Sequence, residues 1–149
     1  LRAAQTALPI RRRFDRSLAA IWPIQEFTYL APALCVGTSS VERKPRIDAY
    51  WDRLDPAYVD GPGAESFSDL LVRARTFLAQ VREAQTPFNV LVSHGQFMQA
   101  LHVLIDKPDI HDQDAIGVFR TQQSARPFAN CERLTIDIAA CGEVRAVRD

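Results

Sequence analysis

The sequence feature that most constrains the fold is the stretch of residues 88–95, where a largely apolar run ends on Ser93, His94 and Gly95. An apolar run without polar alternation is typical of a strand buried on both faces, as parallel strands are in α/β domains. Apolar residues then recur at helical spacing, which predicts a helix over residues 96–105. The sequence therefore predicts that a strand, a tight turn and a helix meet at residues 93–95.

This junction is a candidate ligand site, because open α/β sheets bind ligands at the carboxyl ends of their strands. The free N–H groups at the start of a helix favour an anion, and His94 beside them can donate hydrogen bonds or move protons. Gly95 has no Cβ, so the backbone can turn sharply there. The simpler alternative is a structural histidine at the end of a strand.

The other elements fit one α/β domain spanning residues 1–149. Residues 17–24 predict a second short buried strand, whose central part (18–22) we expect to run parallel to the strand at 88–93. Periodicity predicts helices over residues 1–14, 44–54, 66–84 and 112–124, the third with Ser66 as N-cap and Asp69 completing a capping box. Alternating residues predict an antiparallel hairpin within residues 132–148. The irregular segment 31–65 is expected to be a lid-like insertion or a long loop over the end of the sheet.

A carboxylate near the first predicted strand is a candidate acid. Glu26 follows Trp22 and precedes Phe27 and Tyr29. An apolar setting suits a carboxyl group to general acid work. A surface glutamate between core aromatics is the simpler alternative.

Composition excludes several classes of function. Lys and Arg together number 18, as do Asp and Glu, so the formal net charge is zero. A zero net charge does not indicate nucleic acid or a membrane surface as a partner. No apolar run approaches the length of a membrane span. Cys35, Cys131 and Cys141 lack metal-ligand spacing and are expected to be reduced thiols of a cytoplasmic protein. Neither they nor the three histidines form a metal set, and no cofactor is expected.

Three local patterns, in this order and spacing, resemble the histidine phosphatase (phosphoglycerate mutase-like) superfamily. The first, Arg-Ala-Ala-Gln-Thr-Ala at residues 2–7, is similar to the arginine-bearing helix of that family. The second is Gly-Ala-Glu-Ser at residues 63–66, which opens an amphipathic helix. The third is Val-Ser-His-Gly at residues 92–95. Glu26 falls where the family carries its proton-donating carboxylate.

The resemblance implies a fold and a reaction. The fold is a three-layer α/β sandwich with a mostly parallel sheet and a C-terminal antiparallel hairpin. The reaction passes a phosphoryl group of a small-molecule substrate to a histidine, and then to water or a second hydroxyl. By resemblance, Arg2 is a phosphate ligand, His94 and Gly95 contact the phosphoryl oxygens, and Glu26 is the acid/base.

The nucleophile is where this sequence departs from the family. The family carries it in an Arg-His-Gly motif at the end of the first strand, and no such motif occurs among the 149 residues. We therefore expect an amino-terminally truncated domain that lacks the first strand and is inactive by itself.

Two other functions stay open. One is a binding module that holds a phosphate or another anion at Arg2 and His94 without turnover. The other is an α/β-hydrolase with Ser93 as nucleophile, although Leu91 occupies the position of the first glycine of its Gly-x-Ser-x-Gly elbow.

Overall fold

The computed structural model describes residues 2–84, 88–139 and 141–149, which form helices and one small hairpin. The helices are α1 (Arg2–Arg13), α2 (Ser40–Asp52), α3 (Phe67–Glu83), α4 (Gly95–Asp106) and α5 (Asp112–Ala125). A short 3₁₀ helix spans Pro32–Leu34 before α2. The strands β1 (Leu134–Ile138) and β2 (Val144–Arg148) follow α5.

The core lies where α3, α4 and α5 pack together. Each of these helices has apolar residues on one side, which it turns towards the other two. Phe67 and Phe77 of α3, Phe97 of α4 and Phe119 of α5 are each at most 1% exposed. The rings meet edge to face, with centroids 5.7 Å apart for Phe77 and Phe97 and 5.2 Å for Phe67 and Phe119. This geometry suits the aromatic quadrupole and holds the three helices together.

The helices at 66–84, 96–105 and 112–124 are confirmed within one or two residues. Ser66 is the N-cap of α3: its side chain accepts from the N–H of Asp69, and the Asp69 carboxylate accepts from the N–H of Ser66 in return. α5 begins at Asp112, with His111 as its N-cap. The start of α3 could be read from its capping box, whereas the N-cap residue of α5 makes no side-chain cap hydrogen bond.

The helix predicted over residues 44–54 begins earlier, at Ser40. Ser39 and Glu42 form a second capping box, with Pro45 accommodated inside the helix. Ser39 lies six residues before Pro45 and Glu42 three, so the capping box sets the start of the helix and Pro45 falls in its second turn. Tyr50 and Trp51, at the end of α2, are buried, and Trp51 stacks on Phe119 with centroids 5.6 Å apart. The segment 31–65 is thereby anchored to α5.

The C-terminal hairpin is confirmed. β1 and β2 pair antiparallel, with Leu134 opposite Arg148 and Ile138 opposite Val144. Gly142 lies in the turn with φ of +85°, a conformation that glycine adopts without strain.

The two predicted strands at 17–24 and 88–93 are wrong for this structure. The sheet formed by the described residues has two strands, β1 and β2, and both earlier segments lack regular secondary structure. Leu18 is 96% exposed and Phe88 81% exposed, and Val90, predicted to be buried, is 55% exposed. The predicted parallel sheet is therefore not formed by the described residues.

The physical reason is that a strand needs a neighbour. Its N–H and C=O groups require partners on another strand, and neither segment has a strand beside it in the described part of the chain. The segment 17–24 instead packs on one side. Trp22 and Ile24 are half-buried against the core, while Ile21 is exposed. The Trp22 ring meets the Phe77 ring of α3 edge to face, with centroids 5.7 Å apart.

The predicted amino-terminal helix is confirmed as α1, but it is not part of the core. None of its residues is buried, and Arg11, Arg12 and Arg13 are exposed at its carboxyl end. Cations there complement the helix dipole.

One arginine attaches the hairpin to the loop before it. Arg148 of β2 donates from Nε and Nη2 to the two carboxylate oxygens of Glu132, at 2.6 and 3.1 Å, and both side chains are about nine-tenths buried. It also donates to the carbonyls of Arg126 and Pro127, both at 2.8 Å, and lies 3.7 Å from the ring centroid of Phe128. A bidentate pair with further hydrogen bonds is a strong form of ion pair.

This pair predicts an acid-sensitive stability. The hydrogen bonds from Arg148, followed by that from the N–H of Ala129, lower the pKa of Glu132 from 4.5 to about 2. Because the folded pKa is the lower one, the stabilisation is complete above 4.5 and is lost as the pH falls towards 2. Glu132→Gln should reduce the urea-derived free energy of unfolding at neutral pH, and the difference from the parent chain should shrink over that acid range.

Glu143→Gln is the matched control, because Glu143 pairs with Arg145 where both side chains are largely exposed. Its effect should be small at every pH. A gap between Glu132→Gln and the parent that does not change with pH would contradict this account of Glu132.

Candidate functional site

The site is built around the amino end of α4. His94 is the N-cap residue, with extended backbone (φ −128°, ψ 156°), and its side chain makes no capping hydrogen bond. Its carbonyl accepts from the N–H of Met98 at 3.0 Å, which starts the helix. The half-buried imidazole is therefore not used in capping, and it lies beside N–H groups that attract negative charge.

A carboxylate distant in sequence meets this helix end. Glu26 Oε1 accepts from the N–H of Gln96 at 3.2 Å and from the N–H of its neighbour Phe27 at 3.0 Å. Glu26 thus does for α4 what an N-cap side chain usually does. The structure brings Glu26 together with Gln96, which is 70 positions away along the chain.

Ser93 connects the same two segments. Its hydroxyl donates to the carbonyl of Ile24 at 2.7 Å. The hydroxyl proton is therefore directed at a main-chain oxygen. A nucleophilic serine needs a base as acceptor for this proton, so the arrangement argues against the α/β-hydrolase alternative.

The loop that carries Glu26 is fixed from the side of α3. Arg73 donates to the carbonyls of Pro23 and Gln25, both at 3.0 Å, and binds both carboxylate oxygens of Glu65 at 2.8 Å each. The N–H of Glu65 donates to the carbonyl of Thr28 at 2.8 Å. These contacts hold the backbone on either side of the acid candidate.

Arg2 makes no described contact with the other candidates. It lies exposed in the first turn of α1, where its carbonyl accepts from the hydroxyl of Thr6 at 3.1 Å. Within residues 2–84, 88–139 and 141–149, no hydrogen bond or ion pair joins Arg2 to Glu26 or His94. What the structure shows is that the Glu26 carboxylate reaches the helix end that begins after His94; a common site for the three side chains stays a prediction.

Gly95 begins α4 without the left-handed backbone that would require glycine. A Cβ at this position would lie 3.6 Å from the Cβ of Phe128, which is an ordinary contact. The expectation of a sharp turn that needs glycine is therefore not supported. Phe128 is the residue that Arg148 covers, so the hairpin reaches the amino end of α4 through it.

Two tyrosines packed with the core are protonated at neutral pH. Burial raises the pKa of the Tyr29 and Tyr50 hydroxyls above the usual value. Their ring centroids are 5.0 Å apart.

The comparison with protein families agrees with the three motifs. A sequence model of the histidine phosphatase superfamily (branch 1) matches residues 1–128. The chain therefore belongs to the histidine phosphatase superfamily, and the resemblance seen in the motifs is confirmed. Searches among curated proteins and among solved structures gave no match.

Family membership supports phosphoryl transfer as the class of function.

In the part of the chain that the structure describes, no helix is long and apolar enough to cross a membrane.

Sequence reasoning missed Arg73 and the carboxylate of Glu65. The Gly-Ala-Glu-Ser motif was read as a helix start, which it is, but its glutamate also binds an arginine eight residues later. The available signal was the position of that arginine, two turns into α3 on the side that faces the core.

The contact of Ser93 generates a prediction. Ser93→Ala removes the hydrogen bond to Ile24 and should lower the free energy of unfolding by about 1 kcal/mol, measured by urea denaturation. Ser124→Ala, at an exposed position near the end of α5, is the control and should change stability by less than about 0.5 kcal/mol. Phosphomonoesterase or esterase turnover that Ser93→Ala abolishes without unfolding the chain would revive the serine nucleophile.

Proposed function

We propose that this protein transfers phosphoryl groups from a phosphorylated small molecule through a phosphohistidine, either to water or to a second hydroxyl. The observation that carries the proposal is the junction at α4, in a chain of the histidine phosphatase superfamily. There, an imidazole not used for capping and a carboxylate on the N–H of Gln96 lie at the same helix end.

The proposed roles follow from the charges that develop during transfer. His94 and the N–H of Gly95 donate to the phosphoryl oxygens, where fixed donors stabilise charge in the transition state. Glu26 protonates the departing alkoxide and later takes a proton from water. Arg2 is a bidentate phosphate ligand, once α1 is held close to the junction.

We further propose that the nucleophilic histidine belongs to an Arg-His-Gly strand that precedes Arg2 in the complete protein. The support is the exposed apolar surface of the two segments predicted as strands. Leu18, Ile21, Phe88 and Val90 all face solvent. A strand inserted between these segments would give their main-chain groups hydrogen-bond partners and complete a parallel sheet. With helices packed on both faces of that sheet, the domain would have three layers.

The substrate class and setting are also proposals. A phosphorylated small molecule fits a site with one acid and one imidazole, and the reaction needs no metal or organic cofactor. The three cysteines are free thiols, which supports a location of the protein in the reducing cytoplasm.

The proposal predicts how activity depends on the first strand. The 149-residue chain should release phosphate from an aryl phosphate negligibly, while the chain extended through the Arg-His-Gly strand should turn over. Loss of a covalent nucleophile removes several orders of magnitude in rate. Phosphate release by the two proteins at mildly acidic pH is the measurement, and robust turnover by the shorter chain would contradict the proposal.

His94→Ala in the extended protein should lower kcat about 100-fold or more, because one donor to the phosphoryl group is removed. His111→Ala is the matched control, since His111 is also an N-cap residue whose side chain makes no capping hydrogen bond. Equal effects of the two substitutions on kcat would contradict the proposed role of His94 as a donor to the phosphoryl group.

A phosphate-binding module without turnover is the second candidate, favoured by the lack of Arg-His-Gly in the 149 residues. The genomic sequence upstream of the first codon separates the two. An in-frame Arg-His-Gly motif supports the enzyme, and a start codon at that point supports the module.

A further inference from the structure

Arg73 is the side chain that ties the acid candidate to the helical core. Its side chain is 11% exposed, and its guanidinium carbon lies 4.9 Å from the ring centroid of Phe97 in α4. Nε and Nη2 bind the carboxylate of Glu65, and Nη1 donates to two main-chain carbonyls. The planar guanidinium thereby connects α3, α4 and the loop at 23–28.

The two carbonyls are placed where they control Glu26. They belong to Pro23 and Gln25, and Gln25 directly precedes Glu26. On the other side, Glu65 holds the carbonyl of Thr28 through its N–H. With the backbone fixed before and after Glu26, its carboxylate needs to lose little further freedom to reach the N–H of Gln96.

We propose that Arg73 is a positioning residue for Glu26, which it holds as the general acid at the amino end of α4. This inference rests on the proposed function, in which Glu26 protonates the leaving group. Lysine cannot replace Arg73, because an ammonium group lacks the fork that binds Glu65 while Nη1 holds both carbonyls.

The chemistry of the leaving group separates positioning from mere stability. An alkyl phosphate leaves as a basic alkoxide and needs the acid, whereas p-nitrophenyl phosphate releases a stable anion and needs it little. In the protein extended through the Arg-His-Gly strand, Arg73→Lys should lower kcat for an alkyl phosphate about 10-fold or more. For p-nitrophenyl phosphate, kcat should change by less than about 3-fold, and KM should change little for either substrate.

Arg75→Lys is the matched control. Arg75 also lies on α3 and makes an ion pair and a carbonyl hydrogen bond, but with Asp112 and Ile110 at the start of α5. Arg75→Lys should leave kcat unchanged for both substrates. Glu65→Gln is the second variant, because it weakens the hold on Arg73 without removing the arginine, and it should show the same preference in milder form.

Glu26→Gln is the reference that separates the two proposals. If it lowers turnover of the alkyl phosphate selectively and Arg73→Lys does not, the role of Arg73 is wrong and the proposed function stands. If Glu26→Gln itself shows no selectivity, the proposed role of Glu26 fails first. In the double variant, Arg73→Lys should add less than about 2-fold to the loss already caused by Glu26→Gln, because both act through one carboxyl group. Independent, multiplying effects, or equal loss with both substrates, would overturn the inference.

Discussion

The packing of α3 against α4 is the contact on which the candidate site depends. Phe77 and Phe97 meet edge to face in the core, and Phe97 also carries the guanidinium of Arg73 over its ring. One aromatic ring therefore links the hydrophobic core to the polar network that holds the loop at 23–28. The helix that supplies the free N–H groups and the helix that supplies the arginine cannot shift independently. This is how a buried apolar contact fixes the position of a carboxylate at the surface of the core.

Glu26 caps the helix that begins after His94. Its carboxylate accepts from the N–H of Gln96 at the positive end of α4. The network around Arg73 holds the backbone of the loop that carries this carboxylate.

The sequence predicted those elements whose signals are local. The helices followed from apolar periodicity and from capping residues such as Ser66, and the hairpin followed from alternation around Gly142. The segments 17–24 and 88–93 show the limit, because an apolar run has the composition of a strand but becomes one only beside a partner. The family resemblance implied that Glu26 and His94 share a site, but the contact of Glu26 with the N–H of Gln96 needed the structure. The contacts of Arg73 with loop carbonyls 48 and 50 residues away have no periodic signal and needed the structure.

The amino end of α4 is proposed as an anion site beside His94 and Glu26, and titration with inorganic phosphate tests this site most directly. In ¹⁵N NMR spectra of the 149-residue chain, phosphate should shift the amide signals of Gly95 and Gln96 together with the ring signals of His94, with saturation at one common concentration. The amides at the start of α5, behind the N-cap His111, should not follow that curve. Equal, unsaturated shifts at both helix starts, or no shift at residues 94–96, would contradict the account.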